Sequence, residues 1–434
     1  MASTSPSPWI SSAEAAARLG VKPQTLYAYA SRGLLHPRKA VDGRTSRYDV
    51  VEVERLGRVG RAGGDRQRRG AVDVRLTTGL TEITDVGPRY RGVAAVELAR
   101  DEVPFEAVAE WLWTGGERPV ARRLRAAERA SWAPRLAPVS GDAAPQLDLL
   151  VARAVAAAMA DPDRADRRPL AVTATARHLM GDLVAALPGP GADRPDIASA
   201  LWARLAGSPG SVRQRAALNG ALVLLADHDI AASTLAARVA ASTRADPYHV
   251  VVAGLAAVSG PLHGVASTLA VRLLAEVVQG RDAREVVDER LRLGERLPGF
   301  GHRVYPGTDP RFTALLDLVR TSRPDKGHLA AVDAVVDAAA ERVDARPNID
   351  LALAALVHGH GLPVTSGECI FAIARTAGWI AHALEEYDER PLRFRPQAVY
   401  VPAAATVGAP EERPSSSSAP PARSGRGAGV AMVG

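Results

Sequence analysis

Apolar residues recur at helical spacing along most of the chain. Residues 145–159 are Ala-rich, with Leu and Val returning every three or four positions, which is the period of one buried helix face. The same period predicts helices over residues 195–205, 234–243, 265–278 and 369–386. In the last of these, Ile370, Ile373, Ala377 and Ile380 mark the apolar face. Ser233 stands where an N-cap belongs, because a serine oxygen can accept from the free N–H groups of a first helical turn. Gly280 marks a stop. Alternating runs of Val, Ile, Tyr and Phe are scarce, so the pattern predicts an all-α body.

Punctuation divides the chain. Residues 8–56 form a compact unit. In it Ser12 is placed to cap a short helix with Ala16 and Leu19 on its apolar face, Gly20 permits a tight turn, and Pro23 opens a second helix at a position where proline is tolerated. Thr25, Tyr27, Tyr29 and Arg32 lie along that second helix. This is a helix-turn-helix layout with the second helix as the candidate groove reader. Residues 57–72, rich in Gly and Arg, read as a solvated linker. Helical pattern then runs over 73–402. The Ala, Pro, Ser and Gly of residues 406–434 cannot bury enough surface to offset their ordering entropy and predict a disordered tail.

Composition sharpens the picture in three places. Aromatic residues are 4% against 47% hydrophobic, so the core rests on Ala, Leu and Val, and helices are expected to approach closely through Ala. The net charge of +6 permits contact with polyanions without demanding it. That charge is almost all Arg, with Lys only at Lys22, Lys39 and Lys326, as GC-rich coding would produce. A single cysteine, Cys369, excludes a disulfide framework within the chain and fits a reducing compartment. The N-terminus lacks a basic-then-apolar leader pattern, and apolar runs such as 250–258 are too short to span a bilayer. A cytoplasmic protein without membrane contact is the expectation.

Six polar clusters interrupt the apolar pattern. They are LADHDIAAST with His228, SGPLHGVAS with His263, PGFGHRVYPGTDPR with His302 and Arg311, PNID with Asp350, FAIARTAGW with Arg375, and RFRPQ with Arg395. Singly, each has an ordinary reading: a histidine beside glycine in a turn, an Asp309–Arg311 surface pair of little weight, an Asp350 that caps a helix. His263 and His302 are far apart without close partner ligands, and His358 and His360 are two apart, so no metal is expected. Together the clusters supply three histidines and an aspartate for acid–base work, and three arginines that can hold two carboxylates in bidentate forks. They imply a small dicarboxylate and proton transfer next to a carbonyl.

Two segments carry family resemblances. "EAAARLGVKPQTLYAYASRGLL" followed by "RYDVVEVERL" resembles the winged helix-turn-helix of MerR-type regulators and excisionases, with Thr25, Tyr27, Arg32, Arg44 and Arg47 as candidate DNA contacts. From about Val74 to Pro402 the chain resembles citrate synthase: all six clusters come in that family's order, and "GFGHRVYPGTDPR" and "ARTAGWIAH" are specific to it. The resemblance implies large and small helical domains, the small one inserted at roughly 260–365. It implies that Asp350 removes a proton from the acetyl-CoA methyl, that His263 hydrogen-bonds the thioester oxygen, and that His302 polarises the oxaloacetate carbonyl. It also implies that His228, Arg311 and Arg375 bind oxaloacetate, that Arg395 reaches into the partner subunit of a homodimer, and that Gly299, Phe300, Gly301 and Arg303 meet CoA. It implies, too, that no cofactor is bound permanently and that the acyl-CoA is a co-substrate.

The chain departs from the family at Ala231, Ser267, Pro306 and the run Leu351–Ala354. These changes spare the acid–base groups but remove hydrogen bonds that orient them, so altered rate or specificity is an expectation. Three functions are compatible with the sequence. One is condensation of acetyl-CoA with oxaloacetate to citrate. Another is its propionyl-CoA counterpart, which differs by a methylene worth only about 1–3 kcal/mol in a pocket. The third is a DNA-binding regulator whose synthase-like body senses CoA esters or dicarboxylates.

Overall fold

The computed structural model describes residues 9–19, 21–31, 35–39, 45–49, 53, 74, 76–137, 144–190 and 196–396. Gly20, Arg32, Arg44, the linker at 57–72 and the tail at 406–434 lie outside the described residues.

The N-terminal module runs β1 (Trp9–Ser11), α1 (Ser12–Leu19), α2 (Pro23–Ser31), β2 (Arg38–Lys39) and β3 (Ser46–Asp49). Its strands form one antiparallel sheet in the order β1-β3-β2. Ile10, Ala15, Ala16, Leu26, Leu35, Tyr48 and Val53 make a core of its own. The cap of α1 differs from the expectation by one residue. Ser11 Oγ accepts from Glu14 N at 3.2 Å, while Ser12 is already helical and donates to the Ser46 carbonyl. Pro23 does open α2. Tyr29 packs against the small core, whereas Tyr27 is 57% exposed.

The body begins with a three-stranded antiparallel sheet, β4 (Thr81–Thr84), β5 (Gly87–Tyr90) and β6 (Val93–Ala94). Helices follow: α3 (Ala95–Arg100), α4 (Phe105–Thr114), α5 (Ala126–Ala130), α6 (Gln146–Ala160), α7 (Pro169–Ala185), α8 (Ile197–Ala206), α9 (Val212–Leu225), α10 (Ala232–Ser242), α11 (Pro247–Val258), α12 (Ala266–Val278), α13 (Ala283–Arg292), α14 (Pro310–Thr321), α15 (Lys326–Arg342), α16 (Ile349–Gly359) and α17 (Ser366–Asp388). One continuous core, built largely from Ala, Leu and Val, joins all of them but α5, which has no buried residue. Its axis is α17, which packs against α4, α6, α7, α9, α10, α11, α12 and α16. Among the described residues, no helix is long and apolar enough to cross a membrane.

Two helix starts shift in ways that matter for the site. The helix predicted from Thr234 begins at Ala232, with Ala231 at the N-cap and no side-chain cap bond. Ser233 is therefore inside the first turn, and its hydroxyl is committed elsewhere. Helix α17 starts at Ser366, three residues before the apolar pattern announces it, because the polar Ser366 and small Gly367 are buried as well.

Candidate functional site

Backbone hydrogen bonds lace the loop before α14 to the segment before α16. Gly301 N donates to Arg346 O (2.8 Å), Asn348 N to Gly299 O (2.9 Å), and Asp309 N to Pro347 O (3.1 Å). Asn348 Nδ2 also donates to Gly301 O. Gly299 takes φ +81°, and a Cβ there would lie 2.8 Å from Leu351 Cβ, so only glycine allows this approach. Asn348, rather than Asp350, caps α16: its Oδ1 accepts from Asp350 N at 3.0 Å. The Asp350 carboxylate is thereby freed from helix capping.

One group of polar side chains gathers around His302. The rings of His228 and His302 lie 5.2 Å apart, and Tyr305 sits 4.7 Å from His302. Tyr305 Oη is 3.0 Å from His228 Nε2. Arg311 is buried and gripped by Asp309, with Nε–Oδ1 at 3.1 Å and Nη2–Oδ2 at 2.8 Å. Asp309 also caps α14 through Arg311 N. The expectation of a surface pair is corrected here, since both members are buried.

His302 has an informative tautomer. Its Nδ1 accepts from the backbone N–H groups of Val304 (3.0 Å) and Tyr305 (3.3 Å), which assigns the proton to Nε2. That Nε2 faces Arg311 Nη2 at 3.2 Å. Two donors thus meet with no acceptor between them, a local arrangement that an incoming oxygen would complete. Burial, then the Arg311 charge, holds the His302 pKa below its ordinary value. Burial, Arg311, Arg375 and His302 in that order hold His228 well below, so both rings stay uncharged at neutral pH.

A second group surrounds Arg375 on α17. Its guanidinium lies 4.7 Å from the Phe371 ring, its Nε donates to Leu225 O at 2.9 Å, and no other hydrogen bond is made by it among the described residues. His263 packs edge-on to the same Phe371 at 5.6 Å, and its Nε2 is 2.8 Å from Ser233 Oγ. Burial, followed by the Arg375 charge, lowers the His263 pKa.

Asp350 sits where both groups are felt. Burial pushes its carboxyl up to about 6, against the opposing pull of Arg311 and Arg375. Leu351, Leu353 and the alanines between and after them are almost wholly buried behind it. The departure at Leu351–Ala354 therefore has a physical consequence: the side of α16 behind the carboxylate is apolar.

The structure thus brings together His228, His302, Arg311, His263, Arg375 and Asp350. Phe300 bridges to Pro347 beside α16, while Arg303 is exposed. Arg395 is exposed and forms no hydrogen bond or ion pair among the described residues of its own chain. Sequence reasoning missed Tyr305, Ser233 and Phe371 as site residues. All three lie inside motifs already singled out, but nothing local distinguishes Ser233 from a helix cap. In the module, Thr25 is half-buried on α2 and Arg47 is exposed on β3. A separate cleft of about 870 Å³ opens between Arg100–Glu106, Arg122–Arg129 and Pro209–Asn219; it contains none of the six clusters.

Comparison with known proteins bears on both parts. The family model "Citrate synthase, C-terminal domain" matches residues 74–397, and "MerR HTH family regulatory protein" matches residues 10–62. The chain is 36% identical over 188 residues to "Citrate synthase 2" of Bacillus subtilis, a match covering 42% of this chain and 50% of that protein. It thus spans half the length of that relative. It is 33% identical over 350 residues to "Putative citrate synthase 2" of Mycobacterium bovis, covering 76% of this chain and 91% of that one. Among solved structures, citrate synthase from Thermotoga maritima superposes with a TM-score of 0.64 at 26% identity, covering 80% of this chain and 99% of that one.

Proposed function

The chain belongs to the citrate synthase family, and we propose that it condenses acetyl-CoA with oxaloacetate to give citrate and CoA. The observation that carries this reading is the pair of facing donors, His302 Nε2–H and Arg311, near a half-buried carboxylate raised to about 6. A carboxylate of that pKa is a better base than an ordinary aspartate and is still ionised at neutral pH. Asp350 takes a proton from the methyl carbon of the thioester. His263, steadied by Ser233, donates to the thioester oxygen as the enol forms. The new carbon–carbon bond forms at the oxaloacetate carbonyl carbon; its oxygen, polarised by the His302 hydrogen bond, becomes the hydroxyl by taking up one proton, which balances the one that Asp350 removed from the methyl. Water then cleaves the thioester and releases CoA.

Arg311 and Arg375 bind the two oxaloacetate carboxylates with His228. Arg311 is pre-set by Asp309, and the terminal nitrogens of Arg375 have no hydrogen-bond acceptor among the described residues. Gly299, Phe300, Gly301 and Arg303 line the CoA side. The enzyme works as a homodimer that supplies Arg395 to the partner's site. The outward face of α6 supports this assembly, since Val155 and Met159 are exposed there together with Ala152 and Ala156, an apolar strip suited to a second copy. The smaller domain, roughly 260–365, closes over the larger to exclude water. The reaction is cytoplasmic.

The decisive assay is release of CoA thiol from acetyl-CoA or propionyl-CoA in the presence of oxaloacetate. Turnover that is lost in Asp350→Ala supports the reading, and the better thioester decides between citrate and 2-methylcitrate formation. Folded protein that releases no thiol from either contradicts it.

The winged helix-turn-helix architecture favours DNA binding as a second activity. Tyr27 on α2 and Arg38, Lys39 and Arg47 on the sheet are exposed and suit a groove and its phosphates. Gel shifts at low salt with the protein's own upstream DNA, lost in Tyr27→Ala with Arg47→Ala, test it; no shift at low salt contradicts it.

A further inference from the structure

Helix α17 carries more than Arg375 toward the site. Arg375, Gly378 and His382 follow at i, i+3 and i+7, one face of a helix. All three meet the segment that ends in His228. Gly378 N donates to Ala226 O at 3.0 Å, and a Cβ on Gly378 would lie 2.5 Å from Asp227 Oδ1. His382, wholly buried, reaches Asp227 Oδ2 with its Nε2 at 3.3 Å. Asp227 immediately precedes His228 and is itself fully buried.

The hydrogen bonding is directional. Arg238 Nη1 lies 2.8 Å from His382 Nδ1. A guanidinium can only donate, so Nδ1 accepts and the ring proton is on Nε2, aimed at Asp227. Arg238 is fixed in turn by Glu386 (3.1 Å) and Glu385 (2.7 Å), and Glu386 is held by both Nε and Nη2 of Arg393 at 2.7 Å. On the other side, Thr81 Oγ1 donates to the same Asp227 oxygen at 2.6 Å. Asp227 Oδ1 has no hydrogen-bond partner among the described residues.

Asp227 therefore has one oxygen anchored by two donors, and it stands two residues after Leu225, whose carbonyl holds Arg375 Nε at 2.9 Å; no ion pair within 4.0 Å joins the two side chains among the described residues, so the Asp227 charge acts through space. Arg375 is the cation on which it acts: burial opposes the Arg375 charge, and Asp227 is the largest influence favouring it. Burial likewise opposes the Asp227 charge, yet His382 and Arg375 keep its carboxyl below the ordinary range.

We infer that His382 is a positioning residue for dicarboxylate binding, which, by donating to Asp227, holds the buried counter-charge of Arg375 in place so that Arg375 can offer its terminal nitrogens to a substrate carboxylate. The inference rests on the proposal that Arg375 binds oxaloacetate and adds to it a residue outside the six clusters' named acid, base and carboxylate-binding groups. No proton or electron is transferred; the effect is electrostatic and geometric. It is strongest on binding, because Arg375 meets the carboxylate before and during reaction alike.

The test compares two isosteric fragments of the imidazole. His382→Gln retains an N–H near the Nε2 position, whereas His382→Asn retains an acceptor near Nδ1 for Arg238 but loses the donor to Asp227. Thr81→Val removes the other donor from a half-buried edge and leaves α17 untouched. Oxaloacetate binding is measured by calorimetry on the full-length wild type and each variant, with kcat and both KM values alongside. His382→Asn and Thr81→Val are expected to weaken oxaloacetate binding about tenfold and to raise its KM in step. KM for the thioester and kcat should change less than threefold, and His382→Gln should restore most of the affinity. Equal losses in the Gln and Asn variants, or wild-type oxaloacetate affinity in Thr81→Val and His382→Asn, would overturn the inference while wild-type turnover left the condensation reading standing. Failure of the wild type to bind oxaloacetate would overturn both.

Discussion

Replacing Asp350 with asparagine should stabilise the protein while disabling it. The carboxylate is half-buried in the first turn of α16, and burial lifts its pKa from 3.8 to about 6. In the folded state it therefore binds its proton more tightly than in the unfolded chain. As pH rises from about 4 through about 6, folding is opposed by the growing cost of an ionised buried group, and the cost is complete above pH 7. The gap between the two values corresponds to about 3 kcal/mol, and the partly accessible edge of the residue reduces this to roughly 2 kcal/mol. Asparagine has nearly the same shape and never ionises, so at pH 8 Asp350→Asn should melt about 3 °C higher than wild type. The advantage should shrink as pH falls toward 4. Turnover at pH 8 should fall by about 10²–10⁴-fold, and wild-type kcat/KM should fall away on the acid side below about pH 6. Thermal melts from pH 4.5 to 8, paired with thiol-release kinetics, read both effects. A melting difference that does not vary with pH, or turnover within tenfold of wild type, would refute the picture of a buried base.

Other residues make further claims. Ser233→Ala removes the partner of His263 Nε2 and is expected to lower kcat by about 10–100-fold with little change in oxaloacetate KM, as steady-state kinetics would show. Gly299→Ala forces a side chain into a positive-φ position 2.8 Å from Leu351; a loss of about 1–3 kcal/mol and a fall in kcat are expected, read by denaturant melts and thiol release. If Arg395 crosses to the partner subunit, mixing inactive Arg395→Ala with inactive Asp350→Asn protein under subunit exchange restores activity. A hybrid dimer then has one site with both residues intact, and no recovery in confirmed hybrids would count against the crossing.

Much of this architecture was legible in the chain. The 3.6-residue period located the main helices to within a few positions, and the Gly and Pro punctuation of residues 9–31 outlined the N-terminal module. Polar groups embedded in apolar helices pointed to the site, because burying a charge without partners is costly and such residues need a reason. What the chain concealed was long-range pairing. Ser233 looks like a cap until His263 is brought to it across thirty residues of sequence. Asp309 and Arg311 look like a solvent pair until the loop at Gly299 folds over α16. His382 resembles any core histidine until Arg238 fixes its proton and Asp227 receives it. Helix starts slipped where buried polar residues, such as Ser366, extend a helix without contributing to its apolar period.

The most direct measurement is product analysis with thioester labelled at the acetyl methyl carbon. Full-length protein incubated with ¹³C-methyl acetyl-CoA and oxaloacetate is followed by NMR beside Asp350→Asn protein of matched fold and oligomeric state. The account predicts that the label moves from the methyl to a methylene of citrate with one equivalent of CoA released, and that the variant leaves the methyl signal unchanged. Label remaining in the methyl group with folded, oxaloacetate-bound wild-type protein, or label transfer that persists in Asp350→Asn, would contradict it.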